Sequence, residues 1–450
     1  MATKSDLIEA QNFSRRRLLT AFVSGAPGGK ELEPASPLRA VIAAIALTLA
    51  VVLVGVFYGL IKPGLPGDWQ NGKLIVVKDT GARFVSVDGT LHPVINTASA
   101  RLLLPSSGFS IVATDQSSLA GVAIGSTLGI LGAPDSLPAP NALLNTGWSA
   151  CVAPDNGLDV RIGGDVPSAS DKAIVVSVDG KLYVIAGGRS FAVDASGSDA
   201  ILRAAGIATL APVTAPASWL TLFEPGTPLA PISVSNTGQS VAGTTLRIGD
   251  VVHIGGDADD ARYLVQSDGT LAELSPLAWQ LYQLGSGRDL SGVTDVTSAQ
   301  TSALPTATAP VGGPDWPGAG FTAATTGDRP CALVVEGATA PETVLATVPA
   351  STRLATGVQV LADHGALVRA GGRGDQSSGV LTLVDATGTA YPLPGATDET
   401  VARLGYGVDD VDEIGSGWIA LLHTGPALTE KAAGLSPSGE DTSASSPGTP

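Results

Sequence analysis

Two cysteines, one methionine and four histidines are all the soft or imidazole ligands that these 450 residues offer, which leaves little material for a metal centre. Cations are scarce as well: 25 Lys and Arg stand against 41 Asp and Glu, a formal net charge of −16. Proteins that hold nucleic acid need Lys and Arg to displace counterions from phosphate, so that class of partner is excluded. Also missing are the G-x-x-x-x-G-K-[ST] phosphate loop, the G-x-S-x-G nucleophile elbow and the H-E-x-x-H zinc helix. Gly28-Gly29-Lys30-Glu31 and Gly180-Lys181-Leu182 put Lys after Gly but lack the hydroxyl and loop spacing of a phosphate cradle, so nucleotide hydrolysis has no motif behind it. His92, His253, His364 and His423 stand singly and read as packed or surface imidazoles. Asp257, Asp259 and Asp260 miss the calcium-loop pattern and read as a solvated hairpin tip, as do Asp409, Asp410, Asp412 and Glu413. Arg373-Gly374-Asp375 is too short a match to carry a function. No cofactor and no catalytic residue is expected.

What the chain does have is one long apolar run. Ala40 to Ile61, AVIAAIALTLAVVLVGVFYGLI, contains no charge and is bracketed by Arg39 and Lys62. As a helix it reaches roughly 33 Å, enough for the ~30 Å hydrocarbon core of a bilayer. It exceeds the h-region of a cleaved signal peptide, and no A-x-A site precedes Lys62-Pro63-Gly64. A retained single span is therefore expected. Ser14-Arg15-Arg16-Arg17-Leu18-Leu19 has the look of a twin-arginine export signal, but about twenty residues separate it from the apolar run, where such a signal enters it almost directly. A basic helix at the membrane surface is the better reading. Lys4, Arg15, Arg16, Arg17, Lys30 and Arg39 outnumber the four acids before the span, which places the N-terminus in the cytosol and the acidic bulk outside.

Cys151 and Cys331 are the two cysteines. On the outward side of a membrane an isolated pair points to a disulfide rather than a metal site, with two free buried thiols as the other reading. A bond between them closes a loop of about 180 residues, for which chain entropy sets an upper figure of roughly 5 kcal/mol.

After the span, short β-type runs alternate with turn residues, and four segments share one pattern: a β-run, a turn ending in Gly, a second short strand, a small polar N-cap and an amphipathic helix. They run from Arg83 to Leu104, Lys181 to Gly206, Arg262 to Gly285 and Gly379 to Gly405. Gly89, Gly188, Gly269 and Gly388 are expected to supply the turns, and Gly206, Gly285 and Gly405 to stop the helices. The turn glycines lie 99, 81 and 119 residues apart, too irregular for a solenoid or propeller. The fold class expected is a single-pass membrane protein with a large α+β, strand-dominated ectodomain of four small repeat units around a central β-rich domain.

The first repeat has specific wording. Gly89-Thr90-Leu91-His92-Pro93-Val94-Ile95-Asn96-Thr97-Ala98-Ser99-Ala100-Arg101-Leu102 resembles the G-x-x-H-P-V-x-N-x-x-S-A-R-L signature of the EccB family of type VII (ESX) secretion systems. The signature positions are Gly89, His92, Pro93, Asn96, Ser99 and Arg101. Leu128 to Pro134 is similar to the family's L-G-I-P-G-A-P, with Leu131 in place of Pro, and Trp148 with Cys151 matches its W-x-x-C. Gly188-Arg189 with Ala192-Val193-Asp194, Tyr263 to Gly269, and Thr424 to Leu428 resemble motifs of the later repeats. The N-terminus departs, since only Phe13 to Leu19 echoes the family's G-[WY]-R-F-L-L-R-R, as a divergent subfamily would.

The resemblance implies a disulfide on Cys151 and Cys331 and a non-enzymatic scaffold subunit of an inner-membrane secretion complex. It also implies self-association and assembly with an EccC-type FtsK/SpoIIIE ATPase, EccD, EccE and a mycosin protease. The boundaries expected are 1–38 basic cytoplasmic segment, 39–62 span, then repeat units at 63–106, 171–206, 262–285 and 361–433. Central β-domain parts are expected at 107–170, 207–261 and 286–360, and a disordered tail at 434–450. The rival reading is a membrane-anchored cell-envelope (peptidoglycan) binding module, against which the wide dispersal of Trp69, Trp148, Trp219, Trp279, Trp316 and Trp418 speaks.

Overall fold

The computed structural model describes residues 3–24, 37–60, 65–289, 292–372 and 375–437. The Gly28–Lys30 pattern, the end of the span at Ile61 and Lys62, the Arg373-Gly374 pair and the tail from 438 onward lie outside the described residues. Residues 1–64 and 65–450 form two separate compact units.

The first unit holds α1 (Lys4–Ser24) and α2 (Pro37–Leu60). Pro37 opens α2, where its missing N–H costs nothing. Within α2, Leu38–Val56 is long and apolar enough to cross a membrane, and none of it is buried against protein.

The second unit opens with an antiparallel meander of β1 (Leu74–Val77), β2 (Arg83–Val87) and β3 (Thr90–Pro93), followed by α3 (Thr97–Leu103). Then β4 (Ile111–Thr114) pairs parallel with β1, and β5 (Ala123–Ile124) pairs parallel with β3. The first and third strands of a meander run the same way. A further strand parallel to either edge must therefore be reached by a crossover. Here α3 makes the first crossover and a 3₁₀ turn at Gln116–Leu119 the second.

A hairpin of β6 (Trp148–Val152) and β7 (Leu158–Ile162) intervenes before the pattern recurs. The second repeat is β8 (Ala173–Val178), β9 (Lys181–Ala186), β10 (Arg189–Ala192), α4 (Ser198–Ala204), β11 (Val213–Thr214), α5 (Ala217–Leu220) and β12 (Glu224–Pro225). The third is β13 (Val251–Ile254), β14 (Tyr263–Val265), β15 (Leu271–Glu273), α6 (Pro276–Leu284), β16 (Thr294–Val296) and α7 (Ser298–Thr301). Its closing strand is reduced to one parallel bridge, Leu271 to Thr306.

Next, β17 (Arg329–Val335), β18 (Glu342–Val348) and β19 (Gly357–Val360) join the β6–β7 hairpin in a central sheet of order β18-β17-β6-β7-β19. The fourth repeat is β20 (Ala366–Gly372), β21 (Asp375–Val384), β22 (Thr389–Leu393), α8 (Asp398–Leu404), β23 (Asp412–Gly415), α9 (Ser416–Ile419) and β24 (His423–Thr424). A last turn of helix, α10 (Glu430–Ala433), follows it.

Strand pairing moves the expected boundaries. Each repeat begins one strand earlier than the hairpin-helix pattern and ends two crossovers later, and four of the parallel edge strands, at two residues each, are too short to register as β-runs. The segment 207–261, expected in the centre, instead supplies β11 and β12 to the second repeat and β13 to the third. Likewise 111–128 belongs to the first repeat, 138–147 runs along the fourth repeat toward the central sheet, and 294–306 closes the third. The expected tail also starts too early: the Leu435 carbonyl accepts the Gly129 N–H at 3.1 Å.

Alternation along the central strands separates two cores. Trp148, Ala150 and Val152 of β6 face the sheets of repeats two and four, packing with Ile174, Val176, Val368 and Ile414. Cys151, Cys331 and Leu333 face the other way. Repeats two and three share a core through Ile201 and Leu202 of α4 and Leu277 and Leu281 of α6. Repeats one and four share another through Ala98 and Leu102 of α3 and Val401 and Leu404 of α8.

Candidate functional site

Four of the six signature residues, His92, Pro93, Asn96 and Ser99, meet the 125–135 segment, whereas Gly89 turns a hairpin and Arg101 reaches toward the fourth repeat. Asn96 caps α3, its Oδ1 accepting the Ser99 N–H at 2.9 Å, while its Nδ2 donates to the Ile130 carbonyl at 2.8 Å. Ser99, fully buried, accepts the Ile130 N–H on Oγ at 2.8 Å. Two side chains one helical turn apart thus hold both polar groups of a single residue in the Leu128–Pro134 segment. Arg83 and Thr97 grip Asp135 beyond it, which holds the Asp135 carboxyl below its ordinary pKa, chiefly through the Arg83 hydrogen bond. The Pro93 carbonyl accepts the Leu128 N–H at 2.8 Å, and Gly89 turns the β2–β3 hairpin at φ +73°. The Arg101 guanidinium sits 4.0 Å over the Phe109 ring and borders Gly405, which joins the first repeat to the fourth.

His92 is a packing group. Its Nδ1 lies 3.0 Å from the Ser126 carbonyl, and its ring covers Gly125 so closely that a Cβ there has no room. The same arrangement recurs at equivalent register. Phe191 covers Gly226, where a Cβ would stand 2.5 Å from the ring, and Tyr391 covers Gly425. In the third repeat Ala272 replaces the ring and Ala307 replaces the glycine. Burial and the neighbouring Asp385 push the Tyr391 hydroxyl up to about 12, while that hydroxyl donates to Asp385 Oδ2 at 3.1 Å.

The two cysteines are opposite each other on β6 and β17 and form a disulfide with Cα atoms 3.9 Å apart. Two tryptophans fasten the second and fourth repeats to this sheet. Trp219 of α5 donates from Nε1 to the Ala150 carbonyl at 2.8 Å, and Trp418 of α9 donates to Thr343 Oγ1 at 2.9 Å. Trp148 sits beneath Trp418. None of the six tryptophans is exposed.

Sequence reasoning missed this fastening, although a signal was there. Ser218-Trp219-Leu220 and Gly417-Trp418-Ile419 are each followed by Gly seven residues after the Trp and Leu ten after it. Two glycines also do other work than expected. Positive φ falls on Gly187, whereas Gly188 is a close approach, where a Cβ would stand 2.7 Å from the Thr343 carbonyl oxygen. Gly285 ends α6 at negative φ, and what requires glycine there is the Ile232 carbonyl, which leaves no room for a Cβ.

A cleft of about 960 Å³ lies between repeats two and four. On its wall Arg189 is shared by Glu224 at 3.3 Å and Asp315 at 3.7 Å. Asp315 Oδ2 also accepts the Thr227 N–H, so the group anchors the 314–321 segment onto the second repeat. Of the histidines outside the signature, His253 lies between Asp295 and the Ala258 carbonyl, His364 hydrogen-bonds the Ala362 carbonyl, and His423 is exposed. Among the described residues no three His, Cys, Asp or Glu side chains come together as a metal site.

Residues 1–439 match the family described as "Type VII secretion system ESX-1, transport TM domain B". The chain belongs to the EccB family. It is 29% identical over 169 residues to the "ESX-2 secretion system ATPase EccB2" of Mycobacterium tuberculosis strain H37Rv, covering 33% of each chain. It is 34% identical over 139 residues to the "ESX-3 secretion system ATPase EccB3" of Mycolicibacterium smegmatis, covering 30% of this chain and 24% of that one. These matches span about a third or less of the curated relatives' length. In fold, this EccB-family chain is similar over its full length to a chain of an intact ESX-5 inner membrane complex, with TM-score 0.65, 20% identity and 98% of that chain covered. It is also similar to a chain of an EccB3 dimer from the ESX-3 core complex, with TM-score 0.64 and 23% identity over 80% of this chain and 99% of that one. With α2 the helix fit to span, this family member is a membrane-anchored protein.

Proposed function

We propose that this EccB-family chain is a scaffold subunit of a type VII secretion inner-membrane complex and performs no chemistry of its own. The observation that carries this reading is the use of the signature residues. Asn96, Ser99 and His92 are engaged in capping, clamping and packing within the first repeat, and Arg101 borders the fourth, so the most recognisable residues of the family do structural work. Repeats fastened to a disulfide-tied central sheet suit a part that positions others.

In this reading α2 crosses the inner membrane with the N-terminus in the cytosol, following the excess of bases before it, and the acidic ectodomain lies outside. The ectodomain self-associates, as a relative does in an EccB3 dimer, and assembles with an EccC-type ATPase, EccD, EccE and a mycosin protease. Relatives bear the name ATPase. We assign the energy-transducing step to the EccC-type partner, since no phosphate loop occurs in this chain. The burial or half-burial of all six tryptophans removes the stacking platform that an envelope-glycan module needs.

The test is purification of the C-terminally tagged protein from membranes in mild detergent, followed by native electrophoresis and mass spectrometry. Recovery in a megadalton complex with an EccC-type ATPase and an EccD-type subunit supports the reading. Recovery alone, or on cell-wall material only, overturns it. Steady ATP turnover by the purified ectodomain, abolished by one defined substitution, overturns the non-enzymatic part.

A further inference from the structure

Repeats one and four share one core and repeats two and three another, so the second unit is built as two lobes that meet at the central sheet. Thr343 of β18 touches both. Its carbonyl oxygen would stand 2.7 Å from a Cβ on Gly188 of repeat two, and its Oγ1 accepts Trp418 Nε1 of repeat four at 2.9 Å. Beside it opens the cleft of about 960 Å³. Four carboxylates line this cleft, those of Asp171, Glu224, Asp315 and Glu342, against two cations, Lys172 and Arg189. Both cations are taken: Lys172 lies 3.1 Å from Asp171, and Arg189 is shared by Glu224 and Asp315. No ion pair among the described residues engages Glu342. Asp315 Oδ1 is buried without a donor, so the wall is short of donors as well as of positive charge.

Glu224 and Glu342 flank one point of the cleft. The Glu224 N–H donates to the Gly188 carbonyl at 2.9 Å, and Glu342 precedes Thr343, which packs on the same glycine. Both are exposed, the Glu224 side chain to 61%. On the repeat-four wall Gly371, Gly372, Gly415 and Gly417 present bare backbone, and Phe191, Trp316 and Phe321 supply apolar surface elsewhere in the lining. A lone ammonium does not fill such a volume, which stands at the top of the range for ligand sites. We propose that the cleft takes an extended segment of a partner protein that carries Lys or Arg, its cation seated between Glu224 and Glu342. The stem of that side chain lies along the aromatic rings while the segment's backbone follows the glycine wall. A guest that touches both walls braces the two lobes where Thr343 joins them. The inference goes beyond the scaffold reading, to which it adds a point of entry for a partner.

The test uses the full chain in phosphatidylcholine nanodiscs, whose lipid has no net charge, with empty discs as background. The probe is an alanine–glycine nonapeptide with two lysines and an uncharged fluorescent label. Anisotropy should report saturable binding, at least about tenfold weaker when glutamate replaces the lysines and weakened for the lysine peptide by raised salt. Glu224→Gln/Glu342→Gln should weaken the lysine peptide roughly tenfold, since exposed charge pairs contribute at most about fivefold each. Gly372→Trp, at a position where a Cβ meets nothing within 4 Å, should lose binding through bulk with every charge left in place. Equal binding of the lysine and glutamate peptides overturns the proposal, as does no binding at millimolar peptide or unchanged binding in both variants. Lysinamide that competes as well as the unlabelled peptide overturns the extended guest and makes the cleft a site for a lone cation.

Discussion

Trp418 meets Trp148 edge-to-face, with ring centroids 6.3 Å apart and planes at 88°. Trp418 belongs to the short crossover helix of the fourth repeat and Trp148 to the central sheet, so this one contact joins a repeat to the core. Both are almost fully buried, and truncation of such a ring costs about 3–5 kcal/mol. Trp418→Ala should therefore lower the urea midpoint of the ectodomain strongly. Trp418→Phe keeps much of the packing and loses the bond to Thr343 Oγ1, at about 1–2 kcal/mol. Equal midpoints for the two variants would show that the hydrogen bond, and not the ring contact, fastens the repeat.

Asn96 and Ser99 act on one residue, so their effects should couple. Ser99→Ala leaves the buried Ile130 N–H without an acceptor, and Asn96→Ala removes a helix cap and the donor to the Ile130 carbonyl, each at about 1–3 kcal/mol. Once one clamp is gone the 128–134 segment relaxes, and the other clamp loses part of its value. Chemical denaturation of the single and double variants should give a double-mutant cost below the sum of the singles. A strictly additive cycle would mean that the two side chains hold independent elements.

The ring-over-glycine pairs make a sharper prediction. Gly226→Ala places a methyl 2.5 Å from the Phe191 ring and should destabilise the second repeat by about 1–3 kcal/mol. Phe191→Ala alone leaves a cavity. The double variant recreates the Ala272 and Ala307 pair of the third repeat, so it should be more stable than the sum of the two single losses indicates. Thermal unfolding of all three variants reads this directly.

Much of the architecture was legible because period and punctuation survive in the sequence. The four hairpin-helix segments were visible from alternation, and Gly89, Gly269 and Gly388 do turn their hairpins at positive φ. The parallel edge strands were not visible. β5, β11, β12 and β24 are two residues each, below the length at which alternation exists, and they are defined by partners far away in sequence. Gly188 shows the same limit at one residue: sequence marks it as a glycine but not that the Thr343 carbonyl of a distant strand is what excludes a side chain. The signature motif was legible as a pattern, while its role was not, since Ile130 lies about thirty residues from the groups that clamp it.

The disulfide should matter for the unfolded chain more than for the folded one. Cys151 and Cys331 are 180 residues apart, so reduction restores to the denatured state a loop whose closure is worth at most roughly 5 kcal/mol. Cys151→Ala/Cys331→Ala should keep the ectodomain's native circular dichroism and lower its urea midpoint, and reductant should move the wild type toward the same value. A double variant with an unchanged midpoint would show that the central sheet holds without the crosslink.

Tyr391 gives the fold a predictable alkaline limb. Its hydroxyl is pushed up to about 12 by burial and by Asp385, from an ordinary value of 10. A group raised in the folded state contributes its stability in full below its unfolded pKa and loses it as pH rises through the folded one. The window is therefore pH 10 to about 12, across which the loss reaches up to roughly 3 kcal/mol. Tyr391→Phe removes the titrating hydroxyl but keeps the ring over Gly425, so its unfolding free energy should fall less steeply across that window than the wild type's. Below pH 9 the same variant should sit about 1 kcal/mol lower, because Asp385 then loses one donor while the Thr387 and Thr389 groups remain on its other oxygen. Parallel pH profiles for the two proteins would place the alkaline transition on another group and leave Tyr391 as a packing ring alone.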